Sequence, residues 1–161
     1  MWRSAVLGFL VACGGGSSDN PDGNVDPDVP PSPACQEATT YQDIANIESK
    51  IFAGSCTFSG CHNGGNTDAG MMDLRAGMAH AHLVDIDAEV GPGRKLVVAG
   101  NPKASYLMLM IGAVAPEDAE PPGELPPANI GLMPQNAGGK LLCKEKRDAV
   151  ERWIMAGAPS T

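Results

Sequence analysis

Chain breakers limit this sequence more than any other feature. Twenty glycines and 14 prolines are spread over 161 residues. Each tends to end a helix, unpair a strand or open a turn. Long helices and long strands are therefore not expected, and much of the chain must be loop. A hydrophobic fraction of 43% against 19% charged residues still supports a packed core rather than disorder. The length suits one domain with a tail.

The tail is at the N-terminus. Residues 1–13 read MWRSAVLGFLVAC, with Arg3 as a positive n-region and an apolar h-region from Ala5 to Ala12. That pattern predicts a secretory signal. It ends Leu10-Val11-Ala12-Cys13, similar to a lipobox, in which a small residue precedes the cut and the Cys13 thiol carries lipid. The other reading is a buried Cys in an N-terminal element, and Gly14-Gly15-Gly16-Ser17-Ser18 argues against it. Residues 14–34 hold four Asp, five Pro and no Lys or Arg. Such a segment buries too little apolar area to offset its ordering entropy and reads as an acidic tether. The domain is then residues 35–161.

Acidic residues outnumber basic ones 19 to 11, for a formal charge of −8. That balance argues against nucleic acid as a partner, since phosphate binding needs clustered Lys and Arg. It argues against docking on an anionic membrane through a basic patch for the same reason. No apolar run reaches the roughly 20 residues of a spanning helix, so the lipid is the only expected membrane contact.

The periodicity predicts an all-α domain of about four helices. The first covers about Thr40 to Gly54, with Tyr41, Ile44, Ile47, Ile51 and Phe52 near one face and Thr40 with Asp43 as its cap. A weaker second covers about Asp73 to Asp85. The third starts at Asn101-Pro102 and runs to Gly112. The fourth runs from about Lys144 to Ala156, with Gly157 as its stop. The only strand candidate is Leu96 to Ala99. Residues 113–139 form a long loop with six prolines, and a loop of that length usually has a role or is disordered.

Chemistry concentrates at Cys56, Cys61 and His62. A Cys-His pair with a second Cys just upstream is the attachment pattern of c-type haem. Two thiols add across the two vinyl groups of the porphyrin, and the following imidazole is then held where it reaches the iron. The usual spacer has two residues; here it has four, so two must loop out in the Ser59-Gly60 turn. Three other readings compete at this point: a Cys56–Cys61 disulfide, a zinc site completed by His80 or His82, and ordinary buried thiols. Gly131-Leu132-Met133-Pro134 offers a sixth ligand, because a Met thioether is the soft partner that raises a haem potential and Pro134 restrains Met133. Met133 as core filler is the alternative. Met71, Met72, Met78 and His80 are rival ligands.

In order, the motifs are Cys56-x4-Cys61-His62-Asn63-Gly64, Gly70-Met71-Met72-Asp73-Leu74, Leu83-Val84, Val98 to Leu107 (VAGNPKASYL), Met133-Pro134 and Trp153-Ile154-x-Ala156-Gly157-Ala158-Pro159. Together they resemble the small cytochrome c-like domains of secreted lipoproteins of the myxobacterial and planctomycete type, over about residues 36–159. The chain departs from that pattern in its four-residue spacer and in the acidic insertion from Glu117 to Glu124. The resemblance implies one covalent haem c on Cys56 and Cys61, His62 as proximal and Met133 as distal ligand. It also implies an all-helical fold whose first and last helices cross beside the haem. Phe52, Phe58, Tyr106, Leu107, Leu132 and Trp153 are expected to line a dry pocket.

With Cys13 assigned to lipid and Cys56 and Cys61 to haem, Cys35 and Cys143 remain. An even remainder in a secreted chain suggests one disulfide, two free thiols being the alternative. The expected function is single-electron transfer by a lipid-anchored monohaem cytochrome, with no enzymatic activity. The redox partner protein is not legible. The c-type peroxidases it would resemble use two haems, and this chain has one Cys-His pair. Alternatives are a non-catalytic lipoprotein binding module with a Cys56–Cys61 disulfide, or a small zinc-binding domain. The expected location is periplasmic or cell-surface, and Gly14 in place of an Asp after Cys13 points to the outer membrane by analogy.

Overall fold

The computed structural model describes residues 30–65, 69, 71–135 and 140–161. The signal, Cys13 and the tether up to residue 29 lie outside the described residues. The described chain is helix-rich and contains no strands. Its helices are α1 (Pro33–Ala38), α2, α3 (Ala79–Leu83), α4 (Tyr106–Met110) and α5 (Lys144–Met155), with one 3-10 turn at Pro116–Asp118. Helix α2 begins at Ile44–Asn46, continues as a π-helix over Ile47–Phe52 and ends at Ala53–Ser55. No helix among the described residues is long and apolar enough to cross a membrane.

Helix α1 is a departure from the sequence expectation, and it begins inside the segment assigned to the tether. Pro33 occupies its first turn, where the missing N–H is harmless, and Cys35 and Ala38 are buried. Six residues do not hold a helix alone. Tertiary contacts supply the rest. A disulfide joins Cys35 to Cys143 at the start of α5, with Cα atoms 6.3 Å apart, inside the range a disulfide spans. Arg152 of α5 donates to the carbonyls of Ala38 (2.7 Å) and Tyr41 (3.2 Å).

Helix α2 starts four residues later than the expected Thr40. Thr40 Oγ1 donates back to Glu37 O. Asp43 caps alone, accepting from the Asn46 N–H at 2.7 Å. The inward stripe is Ile44, Ile47, Glu48, Ile51 and Phe52. Helix α3 is shorter than the expected span: residues 73–75 are irregular and 76–78 form a turn. Helix α4 starts at Tyr106 rather than Pro102. Asn101 Oδ1 accepts from the Ala104 N–H (3.2 Å), closing a separate turn. Ser105, extended at φ −85° and ψ 115°, bonds the Val98 N–H (2.9 Å) and Asn101 O (2.8 Å) through its hydroxyl. The first N–H groups of α4 then donate to Lys95 O and Leu96 O, each at 2.9 Å, which satisfies donors that a helix start leaves open. The Leu96–Ala99 strand is not formed. Isolated bridges link Val84 to Val97, Asp87 to Lys95 and Lys95 to Ser105.

Helix α5 matches its expected span, stopping before Gly157 at φ 95°. Its Ala149, Val150, Trp153 and Ile154 enter one core with Ile47, Ile51, Phe52, Leu83, Val97, Met108 and Leu109. Burying each large apolar side chain of this set stabilises the fold by about 1.5–3 kcal/mol. Trp153 also donates its indole N–H to Pro159 O at 2.9 Å.

Candidate functional site

Cys56 follows directly on α2, and its N–H donates to Phe52 O at 2.7 Å. The spacer loops outward. The Cys61 N–H donates to Phe58 O (2.9 Å) across a turn, with Gly60 at φ 81°. The His62 N–H donates to Cys56 O (3.0 Å) and closes the loop on itself. Phe58, Ser59 and Gly60 project into solvent. Phe58, expected in a dry pocket, is 58% exposed. The turn that accommodates the long spacer turns its side chain away from the core.

Cys56 and Cys61 are both free thiols, and both are half-buried. Burial, then the neighbouring Cys61, push the Cys56 thiol up to about 12, while Lys146 on α5 pulls it down. Cys56 is thus a neutral thiol at physiological pH. The His62 ring is half-buried. Burial lowers its pKa, and the carbonyls of Ala69 and Met72 push back upward. Nδ1 lies 2.8 Å from Ala69 O. A carbonyl only accepts, so Nδ1 carries the proton and the neutral ring keeps its lone pair on Nε2. An imidazole tied at Nδ1 in this way is oriented for a metal at the other nitrogen.

Met133 lies on a different segment. Its N–H donates to Met110 O at 2.7 Å, and Gly131, at φ 68°, turns the chain just before it. Its side chain is half-buried against the core, as are those of Cys56 and Met72. Met71 is 69% exposed and Met78 41%. The structure therefore holds Cys56, Cys61 and His62 in one loop, and Cys56 and Met133 both pack against the same core. Phe52, Tyr106 and Trp153 are buried. Tyr106 instead lines a cavity of about 260 Å³ with Val90, Arg94 and Leu125, which includes none of Cys56, Cys61, His62 or Met133.

His80 Nε2 lies 3.0 Å from Ala158 O, tying α3 to the C-terminal segment. Among the described residues, the one trio of His, Cys, Asp or Glu ligand atoms within 4.8 Å of each other is Cys35, Cys143 and Glu145. Its two sulfurs are bonded to each other. Sequence reasoning missed two groups, one of them bonded to the site through Leu74. Glu48 is a buried carboxylate that accepts from the Gly77 N–H (2.7 Å) and the Ala79 N–H (2.9 Å). Its signal was its place on the apolar stripe of α2, four residues from Ile44 and from Phe52. The other is the Asp73–Arg75 pair, at 2.6 Å, whose signal was two opposite charges at i, i+2.

The chain matches no family model, no curated protein and no solved structure.

Proposed function

We propose that this chain is a lipid-anchored, monohaem c-type cytochrome that transfers single electrons without enzymatic turnover, on a cytochrome c-like all-helical domain. The arrangement at residues 56–62 supports this reading more than any other observation. Two unpaired thiols flank an outward loop, while the other two described cysteines are bonded to each other. The next residue is an imidazole whose Nδ1 is tied to a carbonyl. That donor set fits covalent haem, which needs two thiols and one oriented nitrogen.

Cys56 and Cys61 would hold the group through thioethers, and His62 would offer Nε2. Met133, restrained by its bond to Met110 O, would offer a thioether sulfur. Haem supplies the one-electron couple, with its potential set by ligand type and burial. Cys13 would carry the lipid, and the acidic segment after it would join it to the domain, in the periplasm or at the cell surface. The thiols of Cys56 and Cys61 are not joined and gather no third ligand among the described residues, so the disulfide and zinc readings gain no support.

The test is the reduced and oxidised absorption spectrum of the full chain, made with c-type haem maturation, beside its denatured mass. The expected result is a sharp c-type band with one covalent haem. Met133→Ala should keep the covalent haem and lose the weak ferric sulfur-to-iron band. A bare-chain mass from a host that matures other c-type cytochromes would refute the reading.

A further inference from the structure

The loop that carries His62 is braced from outside by a compact ion pair. Asp73 has a side chain only 5% exposed. Its carboxylate accepts from Arg75 through Nε (2.9 and 3.1 Å), Nη2 (2.6 Å) and the backbone N–H (3.0 Å). A fork-shaped guanidinium on one carboxylate is directional as well as strong. Leu74, the residue between them, donates its N–H to His62 O at 3.0 Å.

Gly64, two residues after His62, lies over the same pair. A Cβ built there would collide with Arg75 Nη2 and sit 2.8 Å from Asp73 Oδ2. Gly64 also has φ 74°. Thus Gly64 packs on the ion pair, where a side chain would have to displace Arg75, and the carbonyl of His62 is bonded to the segment that makes the pair. His82 on α3 also acts electrostatically on Asp73.

We propose that Asp73 and Arg75 form a clasp that sets the position of His62, acting through Leu74 and Gly64. They are positioning residues: their hydrogen bonds are to each other, while the imidazole is tied to Ala69 O. The proposal rests on the cytochrome reading for its consequence, the hold on a ligand to iron. It rests on the structure alone for the clasp itself.

The test uses the full chain with Arg75→Gln, made both with and without haem maturation. In the haem-free protein, Leu74 amide exchange should quicken at least tenfold while Val150 in α5 is unchanged. In the haem-loaded protein, the ferric-to-ferrous equilibrium should shift at least threefold. Lys144→Gln, which breaks the exposed Lys144–Asp148 pair, should do neither. Arg75→Lys keeps the charge but not the fork, so it should behave like Arg75→Gln; it also serves if the latter does not fold. Unchanged Leu74 exchange, equal loss at Leu74 and Val150, or an unshifted equilibrium with loosened Leu74 would each overturn the proposal. If wild type takes no haem, the cytochrome reading falls, and the exchange arm still decides whether the clasp exists.

Discussion

Asp73 shows how one side chain can tie the domain to pH. Arg75 first, then the Arg75 backbone N–H and His82, hold its carboxyl down at about 2, against a smaller upward push from burial. The unfolded value is about 3.9. Between those values the unfolded chain binds the proton more readily, so stability rises with pH there. The contribution is complete above about pH 5 and is lost as pH falls toward about 2. Asp73→Asn should therefore be less stable than wild type at pH 6, with the gap shrinking steadily below pH 4. Denaturant melts across that range would read it; a gap independent of pH would show that the pair is not the cause. Gly64 belongs to the same scale. Its left-handed backbone strains any side chain there, and a Cβ would have to displace the end of Arg75, which gives the Asn63-Gly64 run after His62 a steric reason.

At the scale of elements, short helices hold because their ends are bonded by distant parts of the chain. Helix α3 has five residues, too few to persist alone. Glu48 accepts from the N–H groups of Gly77 and Ala79, 29 and 31 residues away. His80 bonds Ala158 O at the other side. Hydrogen bonds to a charged group are each worth about 1.5–3 kcal/mol. Glu48→Ala should remove both and leave the buried Ala79 N–H without a partner, lowering stability by about 3–6 kcal/mol. Denaturant unfolding measures the total, and hydrogen exchange should show the loss first in α3. A loss under about 0.5 kcal/mol, the scale of a surface change, would contradict this role.

At the scale of the molecule, the Cys35–Cys143 disulfide joins residues 108 apart in sequence and so spans nearly the whole domain. Closing a loop of that length removes chain entropy from the unfolded state worth about 4–5 kcal/mol. A domain this rich in loop has little core to spare, so that sum matters. The double variant Cys35→Ser/Cys143→Ser should lower unfolding free energy by about 2–5 kcal/mol. Its first local effect should be release of α1, which is held to α5 by the disulfide and by Arg152. Equal stability of the double variant and wild type in denaturant would mean that packing alone holds the ends.

Some of this was readable from local chemistry. Gly and Pro density determined that the helices would be short, and the apolar period with Gly157 located α5 nearly residue for residue. The adjacency of Cys61 and His62, with Cys56 upstream, singled out the loop in which the structure gathers all three. These features depend on neighbours within a turn or two, so the sequence carries them. Tertiary structure decided the rest. Ser105 breaks the expected third helix because its hydroxyl is committed to Val98 and Asn101. Helix α1 exists because α5 receives it. The Glu48 cap and the packing of Gly64 on Asp73–Arg75 join segments whose separation in sequence follows no period. A buried carboxylate is stabilised by whichever N–H or guanidinium the fold brings to it, and only the folded chain specifies that group.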